Sequence, residues 1–392
     1  MLDQHLRRDF IAVTSSVAVL GVGVGSTLPL TALVLTGRHL GPEVVGWMTA
    51  AIAAGGVAGT VVSPSATLRF GRRLTMLVCV VTAAVSVVCL QFTDSVWAWG
   101  ALRALFGASM APLFVVGEAW INSLPGDAVR GRVVAIYTTS FTLCQVVGPL
   151  LTDALARFPR HAFLICGAVF LLGLPGIALA RDTPVAADDR GGAKDAVASW
   201  WTIVRKAPSI VAGAALFAAF DNVILSFLPL FALDRGFTRS RALAAVVIVF
   251  LGDATMQFAA GWLADRFGIA RVHRIGGIAL CLLLPMLPWM IAFPLLWESY
   301  LYVLGGIAGS VYTLSMVASG ERFSGAALLR ASGLIALTWS LASGMGPAAT
   351  GVFMQHFGSS TMTAALVVMA LGFVAATLAE SRSRARGGRS GR

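Results

Sequence analysis

Three charged side chains stand where charge is most costly. Asp221, Asp253 and Arg103 each lie inside a long apolar stretch of the chain. Ionisable residues in such surroundings mark ion paths, proton relays or substrate sites more often than structural ion pairs. A carboxyl group that is expensive to ionise is suited to taking up and releasing a proton. A guanidinium has donors only, so it can hold an anion or steady an acid. Neutral polar groups lie nearby: Asn222 follows Asp221 with Ser226 one turn on, Gln257 is one turn from Asp253, and Gln145 lies in another apolar stretch. Together they could line a polar cavity, although buried amides also serve as plain helix-to-helix hydrogen bonds. Phe217, Phe220, Phe227, Trp289 and Trp339 could touch a greasy substrate, but packing or lipid contact is the commoner use of such residues.

This chemistry binds and carries; it does not make or break bonds. The chain has no HExxH, CxxC or GxSxG pattern and no phosphate loop GxxxxGK[ST]. Enzymatic activity, ATP drive, a metal centre and a cofactor are therefore not expected. The cysteines Cys79, Cys89, Cys144, Cys166 and Cys281 fall in apolar stretches and read as small buried hydrophobes. The histidines His5, His39, His161, His273 and His356 read as loop or terminal residues, so no histidine relay in the core is expected.

The elements that must position these groups follow from composition. The chain has 392 residues, 57% hydrophobic and 12% charged, half the roughly 25% charge of a soluble domain. Crossing a bilayer core takes about 20 apolar residues. Twelve stretches qualify: 10–33, 44–67, 74–93, 96–119, 132–153 and 162–180, then 208–232, 242–264, 274–293, 299–319, 328–350 and 361–380. Runs such as Met76 to Leu90 are continuously apolar, unlike barrel strands, which alternate. The first run is too long for a cleaved leader and reads as an uncleaved helix. The fold class is thus an all-α membrane protein with 12 transmembrane helices. Residues 1–180 would form one six-helix bundle and 207–381 another, with a cytoplasmic central loop at 181–206 and a basic, disordered cytoplasmic tail at 382–392.

Charge orients the chain. With both termini inside, 22 of the 29 lysines and arginines fall on the inner side, six on the outer side, and Arg103 within a span. The +11 net charge therefore reads as topology, and no nucleic-acid partner is expected. Arg235, Arg239 and Arg241 are a local exception on the outer side. Trp97, Trp99 and Trp297 are expected near the outer interface, and Trp120 and Trp262 near the inner one. In this frame Asp221 lies about 22 Å along span seven and Asp253 about 18 Å up span eight, both near the midplane, while Arg103 lies roughly 10 Å below the outer face.

The two halves repeat. Gly71 and Gly268 are 197 residues apart in similar loops; Gly148-Pro149 and Gly346-Pro347 are 198 apart; Leu28-Pro29-Leu30 and Leu228-Pro229-Leu230 are 200 apart. A duplicated six-helix unit follows, with a pseudo-two-fold axis between its copies.

On these residues the chain resembles the major facilitator superfamily. Gly261-x-x-x-Asp265-Arg266-x-Gly268 is similar to that family's loop signature, and Arg69, Gly71, Arg72 and Arg73 form a degenerate first copy with Leu68 in place of the acid. Arg103-x-x-x-Gly107 resembles its fourth-helix motif and Gly148-Pro149 its fifth-helix antiporter motif. The stretch Glu118-Ala-Trp120 to Arg130-Gly131-Arg132 resembles a poorly characterised bacterial group of it. The resemblance implies inner-gate loops in which Asp265 faces the start of span five and Arg69 or Arg72 pairs with Glu118 or Asp127. It also makes the glycine–proline pairs hinges, where packing alone would serve as well. The expected function is secondary transport by alternating access: proton-coupled export of a small molecule, in a bacterial cytoplasmic membrane, by a monomer whose partners are substrate, proton and lipid. A uniporter or importer of a metabolite, or a receptor without flux, are the competing readings.

Overall fold

The computed structural model describes residues 4–123, 130–180, 201–323 and 325–387. Every regular element among them is a helix. Within a bilayer this is required, because each backbone donor and acceptor must be paired inside its own segment. Span one is Gln4–Gly37, and spans two and three share one helical element, Pro42–Cys89. Val96–Ser123 and Arg130–Ala154 are spans four and five, and Ala162–Leu171 with Leu174–Leu179 forms span six. Spans seven to twelve are Pro208–Asp234, Arg239–Phe267, Ile269–Met290, Pro294–Arg322, Gly325–Phe357 and Ala364–Gly387.

Among the described residues, nine helices are long and apolar enough to cross a membrane. The expected twelve are recovered once the joined helix is divided and spans five and eleven are added. Those two are fully helical over 25 and 33 residues. Hydroxyl and amide residues such as Thr139, Thr142 and Gln145, or Ser332, Thr338 and Ser340, dilute their apolar runs. The division between spans two and three falls at Gly71, whose φ of 82° is a conformation that side chains with a Cβ rarely adopt. Gly268, with φ 87°, makes the matching turn between spans eight and nine.

Three expectations at helix ends are corrected. Span nine begins at Ile269, directly after the Gly268 turn, so His273 belongs to a helix and is buried. Span twelve continues to Gly387, so residues 382–387 are helical and not disordered. Of the five interfacial tryptophans, only Trp97 and Trp262 are exposed; Trp99, Trp120 and Trp297 are packed inside. Residues 181–200 of the central loop and 388–392 of the tail lie outside the described residues.

The chain separates into two compact units. The first is Met1–Ala186 together with Leu225–Val247, and the second is Ala187–Ile224 together with Ile248–Arg392. The far ends of spans seven and eight thus pack with the first six spans.

Inside each unit the helices meet backbone to backbone. In the first, a Cβ on Gly55 would run into the Ala104 carbonyl, and one on Gly107 into the Ile52 carbonyl. In the second, Gly252 lies as tightly on the Tyr302 carbonyl and Gly305 on that of Val249. Gly55 and Gly252 are 197 residues apart, Gly107 and Gly305 198, so the duplication extends to this packing. Such contacts are what remains to hold helices together when lipid is as apolar as the side chains. Substituting Val at Gly55 or Gly305 is therefore expected to cost about 1–3 kcal/mol or more of stability. Gly100→Ala, at an open position, is expected to be neutral or to gain up to about 1 kcal/mol. Thermal unfolding of the purified variants in detergent measures both.

Candidate functional site

The two acids occupy the centres of their helices. Asp221 is thirteen residues from each end of Pro208–Asp234. Asp253 is fourteen residues from each end of Arg239–Phe267. Both are in the second unit and both are buried, at 8% and 3% exposure. Asp253 Oδ1 accepts a 2.8 Å hydrogen bond from Gln257 Nε2, as the one-turn spacing implies. The same oxygen lies against the backbone of span ten, where a Cβ on Gly309 would strike it. Only glycine leaves room there, so the carboxylate is seated between two helices.

Asn222 Nδ2 donates to the Ala218 carbonyl at 3.0 Å and lies 3.4 Å from Asp221 Oδ2. One turn before Asp221, Phe217 begins an aromatic cluster. Its ring is 5.3 Å from Tyr312, 5.8 Å from Trp339 and 6.3 Å from Phe220, and Tyr312 and Trp339 meet edge to face at 5.1 Å. Spans seven, ten and eleven converge on this cluster. Tyr312 is an addition that the sequence did not single out, since one tyrosine in an apolar run carries no pattern. Phe227 is fully buried, and Trp289 is 66% exposed as a lipid-facing residue would be.

Arg103 and Gln145 are buried in the first unit. Arg103 is 1% exposed, seven residues from the start of span four. None of its three guanidinium nitrogens has a hydrogen-bond partner among the described residues. Its contacts are the face of Phe106, 5.6 Å from the ring centre, and the neighbourhood of Cys166. Cys166 Sγ is in turn 3.0 Å from Ser26 Oγ and 3.2 Å from Thr27 Oγ1 of span one. A buried cation without an acid is a high-cost arrangement.

The inner-loop residues are spread along the surface. Arg69, Arg73, Asp265 and Arg266 are exposed, while Arg72 is buried. Arg69 stacks over Phe70, and Arg266 lies over Trp262 and Phe267 at 5.6 and 5.7 Å. The side chain of Glu118, and Asp127 entirely, lie outside the described residues, as do the side chains at the start of span five. A cavity of about 400 Å³ adjoins Gly268, lined by Phe267, Arg271, Glu321 and Arg322. It is about 21 Å along span eight from Asp253, and so is not the space around the acids.

The glycine–proline pairs sit at tight contacts. A Cβ on Gly148 would overlap the backbone of Gly25 and Ser26, and one on Gly346 the Cβ of Ala219. Pro149 and Pro347 lie within continuous helices.

Two polar clusters escaped the sequence reading. His273 Nε2 is 3.0 Å from Ser315 Oγ and 3.1 Å from the Val311 carbonyl, with its ring against Phe373. Glu380 forms an ion pair with Arg322 at 2.5 Å and accepts a 2.6 Å hydrogen bond from Ser209 Oγ. Both tie helices at one end of the second unit. Their signal was weak: an acid closing an arginine-rich segment, and a histidine beside a glycine turn.

Twelve spans in duplicated sets, charged at mid-helix, define a membrane transport protein, and known proteins agree. The Major Facilitator Superfamily model matches residues 13–297 and 213–391. The chain belongs to that superfamily. It is 22% identical over 362 residues to the uncharacterized MFS-type transporter YcaD of Escherichia fergusonii, covering 91% of each chain. It is 24% identical over 275 residues to the uncharacterized MFS-type transporter YfkF of Bacillus subtilis, covering 69% of each. Among solved structures it resembles a D-xylose-proton symporter with a TM-score of 0.77 at 18% identity, covering 96% and 97% of the two chains. The nucleoside transporter NupG gives the same score at 13% identity, covering 96% and 100%. These last likenesses are of fold.

The duplication supplies a test for Arg103. Its counterpart 198 residues on is Leu301, which is fully buried. Replacing buried charge by an apolar side chain of similar volume is often neutral or stabilising by about 1–4 kcal/mol. Arg103→Leu is expected to fold and to unfold at the same or a higher temperature in detergent. A marked loss of stability would make Arg103 a structural residue.

Proposed function

We propose that this protein is a proton-coupled exporter of a small molecule, working by alternating access in a bacterial cytoplasmic membrane with both termini inside. The observation that carries this reading is Asp253: a buried carboxylate at mid-helix, held by Gln257 and seated in the notch at Gly309. A group so placed can exchange a proton without unpacking its helix. Asp221, with Asn222 beside it, is the second candidate carrier. Arg103, unpaired and buried, serves as the cation that answers an acid or an anionic part of the substrate. Gln145 and Gln257 line the polar path. Gly148, Pro149, Gly346 and Pro347 keep their helices in close contact as the bundles rock. Gly71 and Gly268 give the inner turns their shape, and Arg69, Arg72, Arg73, Glu118, Asp265 and Arg266 work the inner gate.

A thermal-stabilisation screen of drugs, sugars, amino acids and organic anions would supply a substrate. Its flux is then followed in liposomes that carry an imposed pH gradient and an internal pH dye. Asp253→Asn or Asp221→Asn is expected to abolish proton-coupled flux while leaving ligand-free stability within about 1 kcal/mol, since Asn preserves shape and hydrogen bonding. Coupled transport unchanged in both variants would sink the proton-carrier reading. Flux that follows the substrate's own gradient alone would favour a uniporter.

A further inference from the structure

The arginines on the side that the charge count makes the outer one need an explanation, because topology alone disfavours them. Within the first unit, three of them are engaged by aromatic faces. Arg38 lies 4.9 Å from the centre of Trp99 and pairs with Asp94 at 3.1 Å. Arg235 lies 5.0 Å over Phe231, and Arg241 5.0 Å over Phe237. Arg239 does something different. Its Nη2 donates to the Thr152 carbonyl at 2.9 Å, and the adjacent Ser240 Oγ donates to Asp153 Oδ1 at 2.9 Å. The first residues of span eight thus hold the last residues of span five.

The acceptor is well chosen. Thr152 is in the last turn of Arg130–Ala154, where carbonyls lack an intrahelical donor and the helix dipole is negative. A guanidinium at that end supplies a donor and a matching charge together. The acceptor is also rigidly mounted: Thr152 Oγ1 donates to the Ser26 carbonyl at 3.0 Å and to that of Gly148 at 3.2 Å, and Gly148 itself presses on Gly25 and Ser26. The donor side is mounted on a turn containing Gly236 at φ 82°. Arg239 is half-buried and Ser240 exposed. Charge-assisted bonds at such a half-wet site are strong enough to bias an equilibrium and weak enough to be released.

We propose that Arg239 and Ser240 form a releasable outer clasp on the C-terminal end of span five, which must let go for the transport path to open to the outside. The proposal rests on the alternating-access reading given above. It predicts a reciprocal effect: breaking an outer clasp loosens the outer ends and, by shifting the population, closes the inner ones. A fixed structural tether would loosen the outer ends alone.

The test is hydrogen–deuterium exchange by mass spectrometry on the full-length protein in lipid nanodiscs, with wild type, Arg239→Gln, Arg239→Lys and Ser240→Ala. Arg239→Gln is expected to raise exchange severalfold in peptides spanning 148–157 and 236–243. It should also lower exchange in the inner turns around Gly71 and Gly268. Ser240→Ala should move both regions the same way by less, and Arg239→Lys, which keeps a charged donor for the carbonyl, should stay close to wild type. Change confined to the outer peptides, or no change in any variant, overturns the clasp. Failure of the aspartate variants to alter coupled flux would remove the proton-carrier reading while leaving the exchange result to decide the clasp.

Discussion

The structure depends on helices that approach until backbone touches backbone. Lipid offers no hydrophobic gain when one apolar helix leaves it for another, so cohesion comes from close packing. Gly55 on Ala104, Gly107 on Ile52, Gly252 on Tyr302 and Gly305 on Val249 are that packing. Each contact needs a residue without a Cβ at one position of one face. The requirement falls at matching places in the two units because both build the same helix pair. Once these pairs are fixed, the depth of every other residue on spans two, four, eight and ten follows from the 1.5 Å rise of the helix.

Much of this was legible beforehand, and for a physical reason. The bilayer forces secondary structure, so apolar runs alone located twelve helices, and offsets such as Gly71 to Gly268 exposed the duplication. Helix ends were less legible, because nothing in an apolar run says where it stops. His273 was misplaced by the few residues that the Gly268 turn saves. Buried depth of the acids came from counting residues and agrees with their mid-helix positions. Their partners did not come the same way. Gln257 could be foreseen because it is one turn from Asp253 on the same helix. Gly309 could not, since a contact between spans eight and ten has no signature along the chain.

The outer arginines show how an exception to a rule becomes informative. A basic cluster on the wrong side of a membrane protein reads as noise in a charge count. In the structure the cluster is spent on specific partners: Arg235 and Arg241 lie on aromatic faces and Arg239 on a helix end. The same contacts draw the far ends of spans seven and eight into the first unit, where a division by sequence alone would place them with the second half.

The clearest pointer to chemistry is where the duplication fails. Packing must be built twice, because each unit has to hold itself together. Chemistry need be built only once. Asp253 stands where the first half has Gly56, Asp221 where it has Gly21, and Arg103 where the second half has Leu301. Each charge is thus absent from its counterpart, although the surrounding glycine contacts are kept on both sides. If these charges were needed to assemble a six-helix unit, the copy without them should not pack as it does. Gly56 and Gly21 leave no carboxylate to be paired, and Leu301 fills its place as ordinary core. The charges are therefore dispensable for the architecture and costly within it, a combination that favours a task beyond folding. That task is divided by sign: the buried cation belongs to the first half of the chain and the two buried acids to the second.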